Sequence, residues 1–520
     1  MPMESVAQLI KDEGLLGMDQ GALEEVKVDR RPYLEGAGVR IYRRSLYLRD
    51  KLLYFIASVD GKKSLYFACE KSFKSEFQGV ASRAGGIHLF GGELSKENAE
   101  TLHRFFPFTA PVSLRDRTTT IGCGDRLGLA TPGHIRAVLP YDVSPVLAQQ
   151  SIRELTLTKR DFRGVVADVT FLVFQEGFER GYGADGDHLK TLKDIDVALE
   201  AKMPMITLDL TEVMHPQPAS WSAAKIDTEF ERLDEGSSTA LLDRYADRTF
   251  RLANSTIVFD RTEVKRCALM YSRALDFSRD VDRHLKERRP NGYDLEISID
   301  ETTAPTLPSH HLFIASELER RGVAVNSLAP RFIGEFQKGI DYIGEVAEFE
   351  RQFIVHCDIA RAYGGYKISI HSGSDKFSVY PAIGTHTGMR LHLKTAGTSW
   401  LVAVEVIART NPVLFRKMLS KAFGYFPEAT KLYHVTTDLK AIRSAAEVPD
   451  GRLEEFVREP NSRQLLHITY GGLLNDSEIR EEFFATLRRF EELHYDAVQQ
   501  HMEKHIALLG APKLKGAPRR

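Results

Sequence analysis

VVADVTFLVFQEGFERGYGADGDHLKTLKDIDVALEAKMPMITLDL, residues 165–210, is the stretch that decides the fold. An apolar, β-rich run gives way to a polar, Gly-rich segment, then to a helical run, then to a second apolar run, which is the pattern of a βα unit around a parallel sheet. From Asp161 onward the alternation recurs. The runs that read as strands are VVADVTFLVF (165–174), MPMITLDL (203–210), LEISID (295–300), VAVNSLAP (323–330), YKISIH (366–371), RLHLKT (390–395), KLYHVTT (431–437) and QLLHITY (464–470). Eight strands are what a closed barrel needs. The expected fold class is α/β, a TIM-type (β/α) barrel with an N-terminal subdomain and a helical insertion.

Outward from that core, residues 1–115 carry the strand-like pieces SLYLRDKLLYFIASV and KSLYFACE and a helical segment from Lys96 to Phe105, and read as an α/β cap. The barrel domain is expected over 116–509. Between its second and third strand runs, residues 226–289 are charged and helical, with amphipathic spacing in LLDRYADRTFRLA and VKRCALMYSRALDFSRDVDRHLKE, and read as an insertion. The end, residues 510–520, is rich in Pro, Lys and Arg and is expected to fray.

Of the 520 residues 43% are apolar and 27% charged, an ordinary globular composition. The 70 basic and 72 acidic side chains nearly cancel, and no block of one sign is long enough to release counterions from a polyanion, so nucleic acid is not expected as a partner. The opening MPMESVAQLIKDEG has acidic residues and no apolar core of signal-peptide length, and no later stretch approaches a membrane span; the expected location is cytoplasmic. Cys69, Cys123, Cys267 and Cys357 are far apart and form no CxxC pair, which argues for reduced, mostly buried thiols. Whether the chain forms a homo-oligomer is left open.

A βα barrel assembles its active site at the carboxyl ends of its strands. There the sequence places Asp185, Asp187 and His188, then Asp209 and Glu212, Asp300 and Glu301, Arg331, His371 with Ser372, Asp375 and Lys376, and His392 with Lys394. Histidines, carboxylates and lysines converging from different strands suit a divalent metal and a polyhydroxylated anion. Each also has a plain structural reading: Asp187 and Glu301 as helix caps, His392 as a partner of Lys394, His434 and His467 as core histidines, the cations as surface charges. No HExxH, Walker sequence or GxGxxG is present, so zinc-protease, nucleotide-hydrolysing and dinucleotide readings lack support.

The stretches GCGDRLGLATPGHIRA (122–137), FQEGFERGYGADGDHLKT (174–191), LAPRFIGEFQKGIDYIG (328–344), YKISIHSGSDKFSVYP (366–381) and LHLKTAGTSW (391–400) resemble the tagaturonate epimerase family, over most of the chain from about residue 115 onward. The resemblance implies interconversion of D-tagaturonate and D-fructuronate in hexuronate catabolism, with a divalent metal. On that reading Asp187 and Glu301 are the acid/base pair, His188, His371 and His392 hold the metal, and Arg331, Lys376 and Lys394 bind the substrate carboxylate. The metal is left among Mn, Ni, Co, Zn and Fe. Because C4 is β to the C2 ketone its proton is not acidified, which favours a retro-aldol and re-addition route. The competing functions are a class II-type aldolase or ketose isomerase acting on sugar acids, and a non-catalytic sugar-acid-binding protein.

Overall fold

A computed structural model describes residues 2–515 apart from 30, 301, 303 and 396. Eight parallel strands close into a barrel, in chain order β1 (Thr119–Gly122), β2 (Ser144–Ser151), β3 (Gly183–Leu189), β4 (Met205–Asp209), β5 (Asp294–Ile299), β6 (Val325–Pro330), β7 (Lys367–Ile370) and β8 (Leu391–Lys394). Each pairs with the next, and β8 returns to β1 through Leu391 opposite Thr119. The fold is the expected TIM-type barrel.

Five of the eight sequence runs are barrel strands, and three are not. VVADVTFLVF lies inside the Phe162–Glu176 helix, QLLHITY begins in the Pro460–Ile468 helix, and KLYHVTT is irregular. The first misreading has a clear cause. Val165, Val166, Val169 and Val173 pack on the barrel core, while Ala167, Phe171 and Phe174 join the aromatic cluster of the N-terminal sheet, where Phe174 lies 5.2 Å from Tyr47. A helix buried on both sides shows no 3.6-residue polarity. Its ends are nevertheless capped, by Asp161, whose carboxylate accepts from Gly164 N–H at 2.7 Å, and by Gly177 at φ 58°.

The strands missed are β1, β2 and β3. β3 reads GADGDHL, polar enough to pass for a loop, because Asp185 and Asp187 point into the barrel. Gly186 is required there by close packing: a Cβ would stand 2.8 Å from that of Ala198. Its pairing with β4 shifts register between Gly186 and Leu189, and His188 sits in that bulge at φ 54°. Asp187 and His188 therefore both reach the barrel mouth, although neighbours on a regular strand face opposite ways.

Around the barrel the chain adds three layers. Residues 33–92 form a seven-stranded antiparallel sheet. Between β4 and β5 come the helices Ala223–Phe230 and Glu235–Tyr245, a hairpin pairing Arg248–Arg251 with Thr256–Phe259, and the long helix Arg261–Arg288. After β8 a helical layer packs about the fully buried Trp400. Near the C-terminus, Pro512 O accepts from Asp142 N–H and Leu514 N–H donates to Pro140 O, which ties residues 512–514 to the barrel; residues 516–520 lie outside the described chain. All four cysteines are buried free thiols. Among the described residues no helix is long and apolar enough to cross a membrane.

Candidate active site

A cleft of about 370 Å³ opens at the carboxyl ends of the barrel strands, lined on its floor by Asp187, His188, Asp300, His371 and Lys394. Lys394, at the end of β8, is its hub. Buried to 4% exposure, its ammonium meets Asp187 Oδ1 at 2.5 Å, Glu296 Oε1 at 2.9 Å and Asp185 Oδ2 at 3.1 Å, and donates to Thr207 Oγ1 at 2.6 Å. Its charge is thus committed to the protein. Burial would raise the Asp187 carboxyl, but Lys394, with His188 and His371, pulls it down to about 2. Asp185, one layer deeper, is pushed up to about 6 by burial despite Lys394.

His371 bridges two carboxylates. Its Nε2 lies 2.6 Å from Glu296 Oε1 and its Nδ1 3.1 Å from Asp300 Oδ1. Burial disfavours its charge, yet Asp300 and Glu296 outweigh that and raise it to about 10. His188 turns Nδ1 toward Asp209 Oδ2 at 3.4 Å, and its ring centre stands 4.9 Å from that of His371. One ligand atom from each of His188, Asp300 and His371 lies within 4.8 Å of the other two.

That set suits a divalent cation. The oriented contacts of His371 Nε2 with Glu296 and of His188 Nδ1 with Asp209 leave one nitrogen of each ring for a ligand, as in carboxylate–histidine–metal arrangements. His371 Nδ1 is buried and makes no well-aligned hydrogen bond. The charges agree: Asp185, Asp187 and Glu296 share Lys394, Asp300 pairs with His371, and Asp209 with His188 and, at 3.9 Å, Lys190, so carboxylates outnumber lysines and the interior favours a further cation.

The remaining expected site residues are dispersed. Arg331, just after β6, lines the cleft, and its guanidinium has no ion pair among the described residues. Lys376 turns away from the cleft and donates to the backbone oxygens of Ile340, Ser374 and Gln337 at 2.7–2.9 Å. His392 lies one layer below Lys394 on β8, fully buried, with Nδ1 2.9 Å from Thr120 Oγ1; burial pushes it down to about 3. Glu301 lies outside the described residues. His434 is exposed, and His467 is buried in the C-terminal helical layer.

Glu154 and Lys338 are among the cleft residues that went unread in the sequence. Glu154, in the helix after β2, has Oε1 held 2.9 Å from Arg126 while Oε2 has no partner. Lys338 reaches the cleft from the loop after β6.

The sequence profile of the UxaE tagaturonate epimerase family matches residues 42–509. This chain belongs to the tagaturonate epimerase family, and is an enzyme of the isomerase class. It is 40% identical over 475 residues to the tagaturonate/fructuronate epimerase of Thermotoga maritima, covering 91% of this chain and 98% of that one. Two crystal structures of the fructuronate-tagaturonate epimerase UxaE from Cohnella laeviribosi superpose with a TM-score of 0.86. The glycerol-complexed one is 44% identical and covers 91% of this chain and 97% of its own; the native one is 43% identical and covers 95% and 99%.

Proposed function

We propose that this cytoplasmic enzyme interconverts D-tagaturonate and D-fructuronate by inverting C4, through retro-aldol cleavage and re-addition, with a divalent cation held by His188, Asp300 and His371. The observation that carries the reading is the cleft itself, in a chain of this family: two histidines and a carboxylate converge beside an ionised Asp187. A divalent cation bound there supplies Lewis-acid polarisation of the ketone and its neighbouring hydroxyl.

Asp187, kept ionised by Lys394, accepts the proton of the C4 hydroxyl. As that oxygen becomes an aldehyde, the C3–C4 bond breaks and its electron pair passes toward C2. The aldehyde fragment rotates, and C3 re-adds to its other face. The new C4 alkoxide then needs a proton from the opposite side. Glu301 was the sequence candidate for that role, and Glu154, with its unpartnered oxygen in the cleft, is a second. Arg331 faces the substrate carboxylate, for which its planar fork is suited.

The test strips the protein with chelator, restores single divalent metals and follows purified D-tagaturonate by chromatography. The expected result is metal-dependent appearance of D-fructuronate that disappears in His188→Ala. Accumulation of three-carbon cleavage products instead would favour an aldolase. Folded protein with no turnover under any metal would sink the epimerase reading.

A further inference from the structure

The cations expected to hold a substrate carboxylate differ in how much of their charge is still available. Lys394 is shared among three carboxylates and Lys376 among three carbonyls. Arg331 lines the cleft with no ion pair among the described residues, and Lys338 shares that state. Lys338 lines the cleft half-buried, and its ammonium has no hydrogen bond or ion pair among the described residues. The carboxylate that most favours its charge, Glu154, lies beyond ion-pair distance and is itself held by Arg126. A partly desolvated ammonium without a partner is unfavourable unless a ligand supplies the opposite charge.

The backbone beneath it is held unusually firmly. Four consecutive carbonyls are each captured by a side chain from elsewhere: Gln337 O and Ile340 O by Lys376 Nζ at 2.9 and 2.7 Å, Lys338 O by Gln464 Nε2 at 3.2 Å, and Gly339 O by Arg463 Nε at 2.6 Å. The Gln337 side-chain oxygen in turn accepts from Thr436 N–H, Thr436 Oγ1 and Gln464 Nε2, each at 3.0 Å. Gly339, at φ 80°, makes the turn that lets successive carbonyls point to different partners. The loop therefore presents one lysine from a fixed backbone, which removes the ordering cost a mobile loop would incur on binding.

We propose that Lys338, together with Arg331, recognises the carboxylate of the sugar-acid substrate, so that selection of uronates over neutral ketoses of the same length depends on the 337–340 loop. This rests on the epimerase reading for the identity of the reactive substrate, but not for the charge of the ligand.

Two measurements separate the two ideas. The first is calorimetric binding of D-gluconate, an unreactive sugar acid, against its neutral counterpart D-glucitol, in wild type, Lys338→Met and Lys338→Arg, each checked for an unchanged melting profile. Wild type is expected to prefer gluconate, Lys338→Met to lose about 30-fold of that preference, and Lys338→Arg to keep most of it, the range of one charge-assisted hydrogen bond. No preference in wild type, or an equal preference in Lys338→Met, overturns the proposal. The second is turnover of D-tagaturonate, where Lys338→Met should raise KM far more than it lowers kcat; a fall in kcat with KM unchanged also overturns it. Wild type that selects gluconate through Lys338 but turns over no ketouronate would leave this inference standing and remove the epimerase reading.

Discussion

Two clusters in this molecule use the same residue types at the same spacing and end in different states. At the cleft, His188, Asp300 and His371 converge; beneath the loop after β7, so do Asp375, His501 and His505. In the second cluster Asp375 Oδ2 already meets Arg463 at 2.8 Å and Oδ1 meets His501 at 3.1 Å. Both nitrogens of His505 are committed, Nε2 accepting from Asp375 N–H at 3.1 Å and Nδ1 donating to His501 O at 2.8 Å. One carboxylate, one arginine and two imidazoles leave no surplus negative charge. The cleft cluster has the surplus, from five carboxylates against Lys394 and Lys190, and opens on about 370 Å³. Proximity of ligand-type atoms is thus a weak criterion for a metal centre; uncompensated charge and room for a ligand are what separate the two.

The sharpest way to break this comparison is to remove one member from each cluster and measure bound metal. His371→Ala should lose the divalent cation and lower activity about a thousandfold, the order expected when a principal electrostatic contribution to catalysis goes, while remaining folded. Asp375→Asn should do the opposite. Asn tolerates the backbone at φ 63° there, so the substitution removes charge without adding strain, and it leaves the partly buried Arg463 without its counter-ion. The expected loss is about 3 kcal/mol of unfolding free energy by denaturant titration, with metal content by atomic absorption unchanged. Equal metal loss in the two variants would erase the distinction.

The same contrast explains what the sequence could disclose. The runs around Ile206, Ile297, Leu328, Ile368 and Leu391 were legible as strands because both faces of a barrel strand are buried and the runs are continuously apolar. β3 was not, since its inward residues are carboxylates whose compensating lysine lies on β8. β1 is four residues long, and β2 carries Pro145 and two glutamines. At the site, His371 and Lys394 follow legible strand runs and could be found from that position, whereas Asp187 and His188 were reached only as the polar segment after a run that is a helix. Lys338 could not, because the shape of its loop is imposed by Lys376, Arg463 and Gln464, residues distant in sequence whose contacts no local pattern encodes. Lys376 and Lys394 look alike as strand-end cations; which charge stays available depends on partners that only the fold assembles.

The opposite end of the barrel extends the comparison to a buried charge with no direct counter-ion among the described residues. Lys367, at the start of β7, is 1% exposed, with Leu114 O and Thr120 Oγ1 at 3.3 and 3.4 Å from its ammonium. Burial lowers its pKa to about 8; Asp294, Glu296 and Asp116 act to raise it and Arg390 to lower it. Its ordinary value is about 10.4, so between those two values the unfolded chain binds the extra proton, and the folded state gains stability relative to the unfolded as pH rises. Below pH 8 both states carry the proton, and burying the charge has its full cost. Lys367→Met abolishes this titration, so subtracting its stability from that of wild type isolates it from every other group. The difference should move by about 1 kcal/mol in favour of wild type between pH 7 and pH 9, read by chemical denaturation at each pH. A flat difference would mean that the lysine finds compensation for its charge within the barrel, and that scarcity of counter-charge distinguishes the cleft end less sharply than its surplus of carboxylates suggests.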